Sequence, residues 1–320
     1  MRIVFLGTPD FAVKCLDSLV KSKHEVVAVV AQPDKPSERG NKIVFSEVKK
    51  YALENNLTFY QYAKISRDGI ADLKALNPDI MVTAAYGQIL SQEFLDIAKF
   101  GVINVHASLL PKYRGASPIQ TAIINGDEET GVTIMKTEIG LDTGDIIAQE
   151  STKIGENETY GELSDRLAVI GSNLLLKVLE QYETNTVKFT KQEHINSTLT
   201  TKISKDDCVI NWDKSSREII SLIHGSNPNP IARTLLGNDI IKIYRAKVLD
   251  FDFNEEYKKL SAGTILPNSS SKKGVYVRTG SSAIEIVEMQ MPGGKVLPAK
   301  VLMNGRKINA YDCFKSVIKI

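Results

Sequence analysis

Asn104 and His106 stand two residues apart in "INVHASLLPKYRG" (103–115), at the end of a β-branched apolar run. Side chains alternate along a strand, so both point to one face and set an amide beside an imidazole. That pairing suits acyl-type transfer. An amide N–H donates to an oxyanion as it develops, and an imidazole stabilises it or moves protons. Asp142 is the third candidate. It lies in "IGLDTGD" (139–145), between Gly140 and Gly144, where a tight turn is cheap. If that turn returns to the strand end, its carboxylate favours a protonated His106 and offers a path for the proton of an amine nucleophile. Asp145 is a second carboxylate within reach. Singly, each residue has a plainer reading, as a packed histidine or an Asx turn. The combination points to chemistry.

Such a site needs a scaffold. "RIVFLG" (2–7), "EVVAVVAQP" (25–33), "PDIMVTAAYG" (78–87) and "FGVINVHAS" (100–108) read as buried strands, separated by stretches with helical spacing. Continuous apolar strands alternating with helices predict an α/β fold with a doubly wound, mostly parallel sheet covered on both faces. In such sheets ligands bind at the carboxyl ends of the strands. "GVTIMKTE" and "DIIAQE" read as two strands joined by the Asp142 turn, and 159–183 as a long amphipathic helix. Beyond residue 184 the chain becomes polar and rich in Thr, Ser and Asn. Past 205 come short, turn-punctuated segments such as "IKIYRAKVL" and "AIEIVEMQ". The expected organisation is a catalytic domain over 1–184, a linker over 185–204 and a small β-domain, sandwich or barrel, over 205–320.

Composition narrows the function classes. The chain has 320 residues and a net charge of +2. Residues 205–320 hold 18 Lys/Arg against 12 Asp/Glu, with the whole excess in 272–320, whereas 1–204 are net acidic. A basic C-terminal segment suggests a polyanion-facing surface. Cys15, Cys208 and Cys313 are scattered and form no CxxC pair, which argues for a reducing compartment, a cytoplasmic location and no metal site. "FLGTPDF" lacks GxGxxG, so a nicotinamide oxidoreductase is disfavoured. His24 and His194 read as surface positions, and Trp212 as packing at the domain junction.

"GTPDFA" (7–12), "QPDKPSERGNK" (32–42), "INVHASLLPKYRGASPIQ" (103–120), "GVTIMK" (131–136) and "GLDTGDI" (140–146) together resemble methionyl-tRNA formyltransferases. The C-terminal stretches "INWDKSSREIISLIHGSNPNPIARTLL" and "VEMQMPGGKVLPAKVLMNGRKI" resemble that family as well, so the likeness covers nearly the whole chain. It implies a formyltransferase Rossmann-like sheet followed by an OB-like β-barrel. It implies formyl transfer from 10-formyltetrahydrofolate to the α-amino group of methionyl initiator tRNA in translation initiation, by a monomer that needs no metal and no membrane. Asn104, His106 and Asp142 match the family's catalytic residues. Its folate site maps onto the loop Ala85, Tyr86, Gly87, Gln88 and Ile89, the segment Ser108, Leu109, Leu110 and Pro111, and the turn residues Ile139, Gly140, Leu141, Thr143 and Gly144. Its tRNA-facing loop maps onto 32–46, with Lys35, Arg39 and Lys42 as the cations.

Three positions depart from the family pattern. Glu38 precedes Arg39 where a small residue is usual. Asn227–Pro228–Asn229–Pro230 lacks an aromatic between its prolines, and His224 stands where arginine is common. The nearest alternative is a folate-dependent formyltransferase acting on a nucleotide sugar or glycinamide ribotide. It would keep Asn104, His106 and Asp142 without needing the basic 272–320 segment. A non-catalytic RNA-binding protein would need none of the three.

Overall fold

The computed structural model describes residues 1–36, 43–249 and 255–316. The chain divides into two compact units. The first comprises 1–118, 130–152 and 164–200. The second comprises 119–129, 153–163 and 201–320.

The first unit is built on one seven-stranded sheet. Its strands are β1 (Arg2–Gly7), β2 (Glu25–Ala31), β3 (Phe59–Gln61), β4 (Ile80–Ala84), β5 (Val102–His106), β6 (Glu129–Lys136) and β7 (Ile146–Lys153). The spatial order is β7-β6-β5-β4-β1-β2-β3. From β3 to β5 all pairings are parallel, and β6 joins β5 antiparallel. Parallel strands are buried on both faces, which is why β1 and β4 read as unbroken apolar runs; Ile3–Leu6 are fully buried. Helices α1 (Asp10–Val20) and α2 (Glu47–Glu54) flank β2 in sequence. The predicted long helix spans Tyr160–Glu183, with Leu167, Leu174, Val178 and Tyr182 buried at helical spacing.

Strand order reverses between β1 and β4, so the loops after these two strands flank a crevice. Thr8, just past β1, donates its hydroxyl to Tyr86 O beyond β4 at 3.4 Å. Residues 185–200 lie along this same unit. Thr190 pairs with Ile146, and Leu199–Thr200 run parallel to Arg114–Gly115.

The second unit carries an antiparallel sheet of six strands: Ala232–Leu236, Asp239–Val248, Val275–Arg278, Ala283–Gln290, Val296–Pro298 and Phe314–Lys315. All its pairings are antiparallel, and it curls around one apolar core in the manner of an OB-like half-barrel. Trp212 belongs to that core. Its ring stacks on Phe314 with centroids 5.6 Å apart, and its indole N–H donates to Thr234 Oγ1 at 2.9 Å. It therefore packs inside the core of the second unit. One correction concerns His24. It is buried, with Nδ1 3.4 Å from Glu183 Oε1, so its place is structural.

Candidate active site

β5 delivers the two residues its alternation predicts. Val102, Ile103 and Val105 are buried in the sheet, Asn104 is half-buried, and His106 is buried at the strand's carboxyl end. Thr83 is the register partner of Asn104 on β4, and its hydroxyl donates to Asn104 Oδ1 at 3.0 Å. With its carbonyl end occupied, the amide keeps the Nδ2 protons as its free donors.

His106 is held at both ring nitrogens. Nε2 lies 3.0 Å from Tyr113 O, and Nδ1 lies 3.7 Å from Asp142 Oδ2. Both neighbours are oxygen acceptors, so each ring nitrogen that carries a proton can donate toward one of them. The 3.7 Å separation is longer than a hydrogen bond, and a small shift of either side chain closes it.

Asp142 reaches this point from a left-handed turn, at φ +50°. Asp and Asn tolerate that region better than most residues. Its Oδ2 accepts the Gly115 N–H at 2.8 Å. Gly115 itself has φ +101°, and a Cβ there would stand 2.5 Å from Thr200 O, so glycine alone fits and presents the amide to the carboxylate. Gly144 closes the turn. A Cβ there would meet Lys136 O at 1.9 Å.

The structure therefore brings His106 and Asp142 together and places Asn104 on the same strand face. The other expected residues contribute mostly by shape. Ser108 is fully buried, and its hydroxyl donates to Lys112 O at 2.7 Å. Thr133 braces the segment, donating to Ser108 O and accepting from Leu110 N, while Gln149 donates to Leu110 O. Leu109 and Pro111 are half-buried and leave an apolar wall. In the loop after β4, Ala85 and Gly87 adopt positive φ. Tyr86 turns its ring inward, and burial pushes its phenol pKa up. Gln88 is held by its own fold, donating to Tyr62 O and accepting from Ile65 N. Large apolar side chains stand out from these loops instead: Ile89 is 88% exposed, Ile139 64% and Leu141 60%.

An open cleft of about 860 Å³ lies between Phe100–Val102 at the start of β5 and Lys136–Gly140. Leu95, Val102, Thr137, Ile139, Gly140 and Tyr182 are among its lining residues. The hydroxyls of Thr137 and Tyr182 are buried without a hydrogen-bond partner. The cleft opens at the amino end of β5, and none of Asn104, His106 and Asp142 lines it, so it is separate from the candidate catalytic residues.

Sequence reasoning missed the residues that contact the elements carrying the candidates: Thr83, Arg114 and Gln192. Each acts through contacts between segments far apart in the chain. Lys35 lies in a two-residue strand pairing with Val44, and Arg39 and Lys42 fall outside the described residues. At the foot of that loop, Ile43, Val44 and Phe45 are exposed, and Lys49 is ion-paired to Asp34 with its ammonium 4.0 Å from the Phe45 ring centroid. Among the described residues no cluster of three or more His, Cys, Asp or Glu could hold a metal ion, and no helix is long and apolar enough to cross a membrane.

Residues 1–179 match the family described as formyl transferase, and residues 202–307 match the formyl transferase C-terminal domain. Fold and site together thus define a formyl transferase. The relatives narrow this further. A methionyl-tRNA formyltransferase of Acetivibrio thermocellus is 41% identical over 96% of this chain and 97% of its own length. Another, of Agathobacter rectalis, is 42% identical over 98% of this chain and 99% of its own. The chain belongs to the methionyl-tRNA formyltransferase family. Among solved structures, the sugar 3N-formyl transferase WlaRD, in the presence of dTDP and 5-N-formyl-THF, shares the fold at a TM-score of 0.66 and 23% identity, covering 92% of this chain and 99% of that one.

Proposed function

We propose that the protein transfers the formyl group of 10-formyltetrahydrofolate to the α-amino group of methionine carried by initiator tRNA. The observation that carries this reading is the convergence of Asn104, His106 and Asp142, in a chain with methionyl-tRNA formyltransferase relatives along its length.

The chemistry is an acyl transfer between two nitrogens. The amine attacks the formyl carbon, and the carbonyl oxygen becomes an oxyanion. Asn104 Nδ2 donates to that oxygen, and protonated His106 stabilises it. Asp142 holds the imidazolium and takes part in removing the amine proton. Collapse breaks the bond from the formyl carbon to the folate nitrogen. That nitrogen is protonated on leaving, so the proton lost by the amine balances the one gained.

The folate is expected against Ala85–Ile89, Ser108–Pro111 and Ile139–Gly144. Ile89, Ile139 and Leu141 supply apolar cover, and backbone groups supply most of the polar contacts. The loop 32–46 is assigned to tRNA, with Lys35, Arg39 and Lys42 on acceptor-stem phosphates and end bases. Residues 205–320, with their positive balance, form the second platform for the polyanion. A cytoplasmic location agrees with three free cysteines.

The test supplies 10-formyltetrahydrofolate and offers two acceptors separately, charged initiator tRNA and a nucleotide-linked amino sugar. Equimolar formylmethionyl-tRNA and tetrahydrofolate, with no formylated sugar, is the expected result. Turnover of the sugar and none of the tRNA would overturn the assignment.

A further inference from the structure

We propose that Gln192, fixed by Arg114, is the positioning residue for the Asp142 carboxylate. Gln192 is 6% exposed, in a segment fifty residues beyond Asp142. Its Nε2 donates to Asp142 O at 2.9 Å and to Gly144 O at 2.7 Å. One side-chain amide therefore clamps both ends of the left-handed turn. Its Oε1 accepts from Arg114 Nε at 3.0 Å and from an Arg114 terminal nitrogen at 2.7 Å. That terminal nitrogen also lies 3.1 Å from His194 Nδ1.

The arrangement has a logic of orientation. A guanidinium only donates, so it must face the carbonyl end of Gln192. The NH2 end is thereby forced toward the two turn carbonyls. Arg114 is followed at once by Gly115, whose N–H binds Asp142 Oδ2. The loop after β5 thus grips the carboxylate directly through Gly115 and its backbone indirectly through Arg114 and Gln192. Both residues are buried, so these bonds are shielded from competing water. Displacement of the turn by an ångström would change the 3.7 Å gap to His106 on which proton handling depends.

This inference rests on the proposed formyl transfer, and its test separates the two. Gln192→Glu is the informative variant. Its carboxylate still accepts from Arg114, so the segment stays docked, but it loses both donors and faces two carbonyls. Hydrogen exchange at the Gly115 amide reads the carboxylate's position whether or not the reaction is formyl transfer, and is expected to rise about tenfold or more. For formylation of charged tRNA, kcat is expected to fall roughly ten- to a hundredfold while KM for tRNA moves less than about threefold. In an Asp142→Asn background the same change should have almost no further effect, less than about twofold, because the residue works through that carboxylate. Gln192→Leu repeats the test without a buried charge. Unchanged exchange at Gly115 would overturn the proposal, as would a loss of kcat fully additive with Asp142→Asn. If Gly115 exchange rises but the unmodified protein formylates no tRNA, the positioning stands and the assigned reaction falls.

Discussion

The Thr83 hydroxyl donates to Oδ1 of Asn104 across paired strands, 3.0 Å away, and so decides which end of that amide is left to act as a donor. The hydroxyl has one proton, and its other acceptor, Ile103 O, is farther away at 3.3 Å. Thr83→Val keeps the shape and removes the donor. The amide is then free to turn its oxygen toward a developing oxyanion. Formyl transfer is expected to slow by about tenfold, less than the hundred- to thousandfold typical of deleting an oxyanion donor outright. Steady-state kinetics of Thr83→Val beside Asn104→Ala check this. Equal losses in both variants, or none in Thr83→Val, would contradict the orienting role.

His106 and Asp142 should act as a unit. His106→Ala and Asp142→Ala are each expected to lower turnover by about a hundredfold or more. The double variant should be little worse than either single one. Circular dichroism and a thermal melt establish that the fold persists. A folded His106→Ala with near-normal turnover would remove His106 from the mechanism.

Acid stability offers a test in the second unit. Burial alone would raise the Glu162 pKa, but hydrogen bonds from Arg245 and from Thr159 outweigh it and bring it to about 2, below the ordinary 4.5. A carboxylate depressed in the folded state contributes stability that is complete above its unfolded value and is lost as pH falls through the folded one. The contribution should therefore fade between about pH 4.5 and 2. Glu162→Gln should lose less stability over that interval than the parent. Urea midpoints at a series of pH values measure it. Parallel curves for the two proteins would contradict the assignment.

The thiols should separate cleanly. Cys15 and Cys208 are fully buried, and burial pushes their pKa values up to about 12 and about 11. Thiolate is the reactive form, so both should resist a thiol reagent in the native state. Cys313 is partly exposed and should react first. Titration before and after denaturation, with mapping of the labelled peptide, gives the answer. Rapid native labelling of Cys15 would show that the first unit opens far more readily than its packing implies.

Signals local in the chain were legible in the sequence. Asn104 and His106 announce themselves because strand alternation is a period of two, and the run around them is β-branched enough to be a strand. The doubly wound sheet follows from apolar runs recurring between helical stretches. Gln192 could not be found this way. It sits in a polar stretch with a linker's composition, and its partners Arg114, Asp142 and Gly144 reach it only through the fold. Thr83 is hidden for a related reason: inside a buried strand, a threonine that orients an amide reads like one that merely packs. His24 shows the converse, since burial is a tertiary fact that a polar letter does not carry. The folate loops were reached through family resemblance, because the groups they offer are largely backbone and apolar surface.

The central claim is that the amine acceptor is methionine on initiator tRNA. The most direct measurement compares single-turnover formylation of initiator methionyl-tRNA with that of elongator methionyl-tRNA, at saturating 10-formyltetrahydrofolate and matched salt. The two acceptors share one amino acid, so any preference comes from the tRNA. The account predicts rapid formylation of the initiator and at least about a hundredfold slower formylation of the elongator, a difference within what a few base and phosphate contacts supply. Equal rates on both, or no transfer to either, would contradict it.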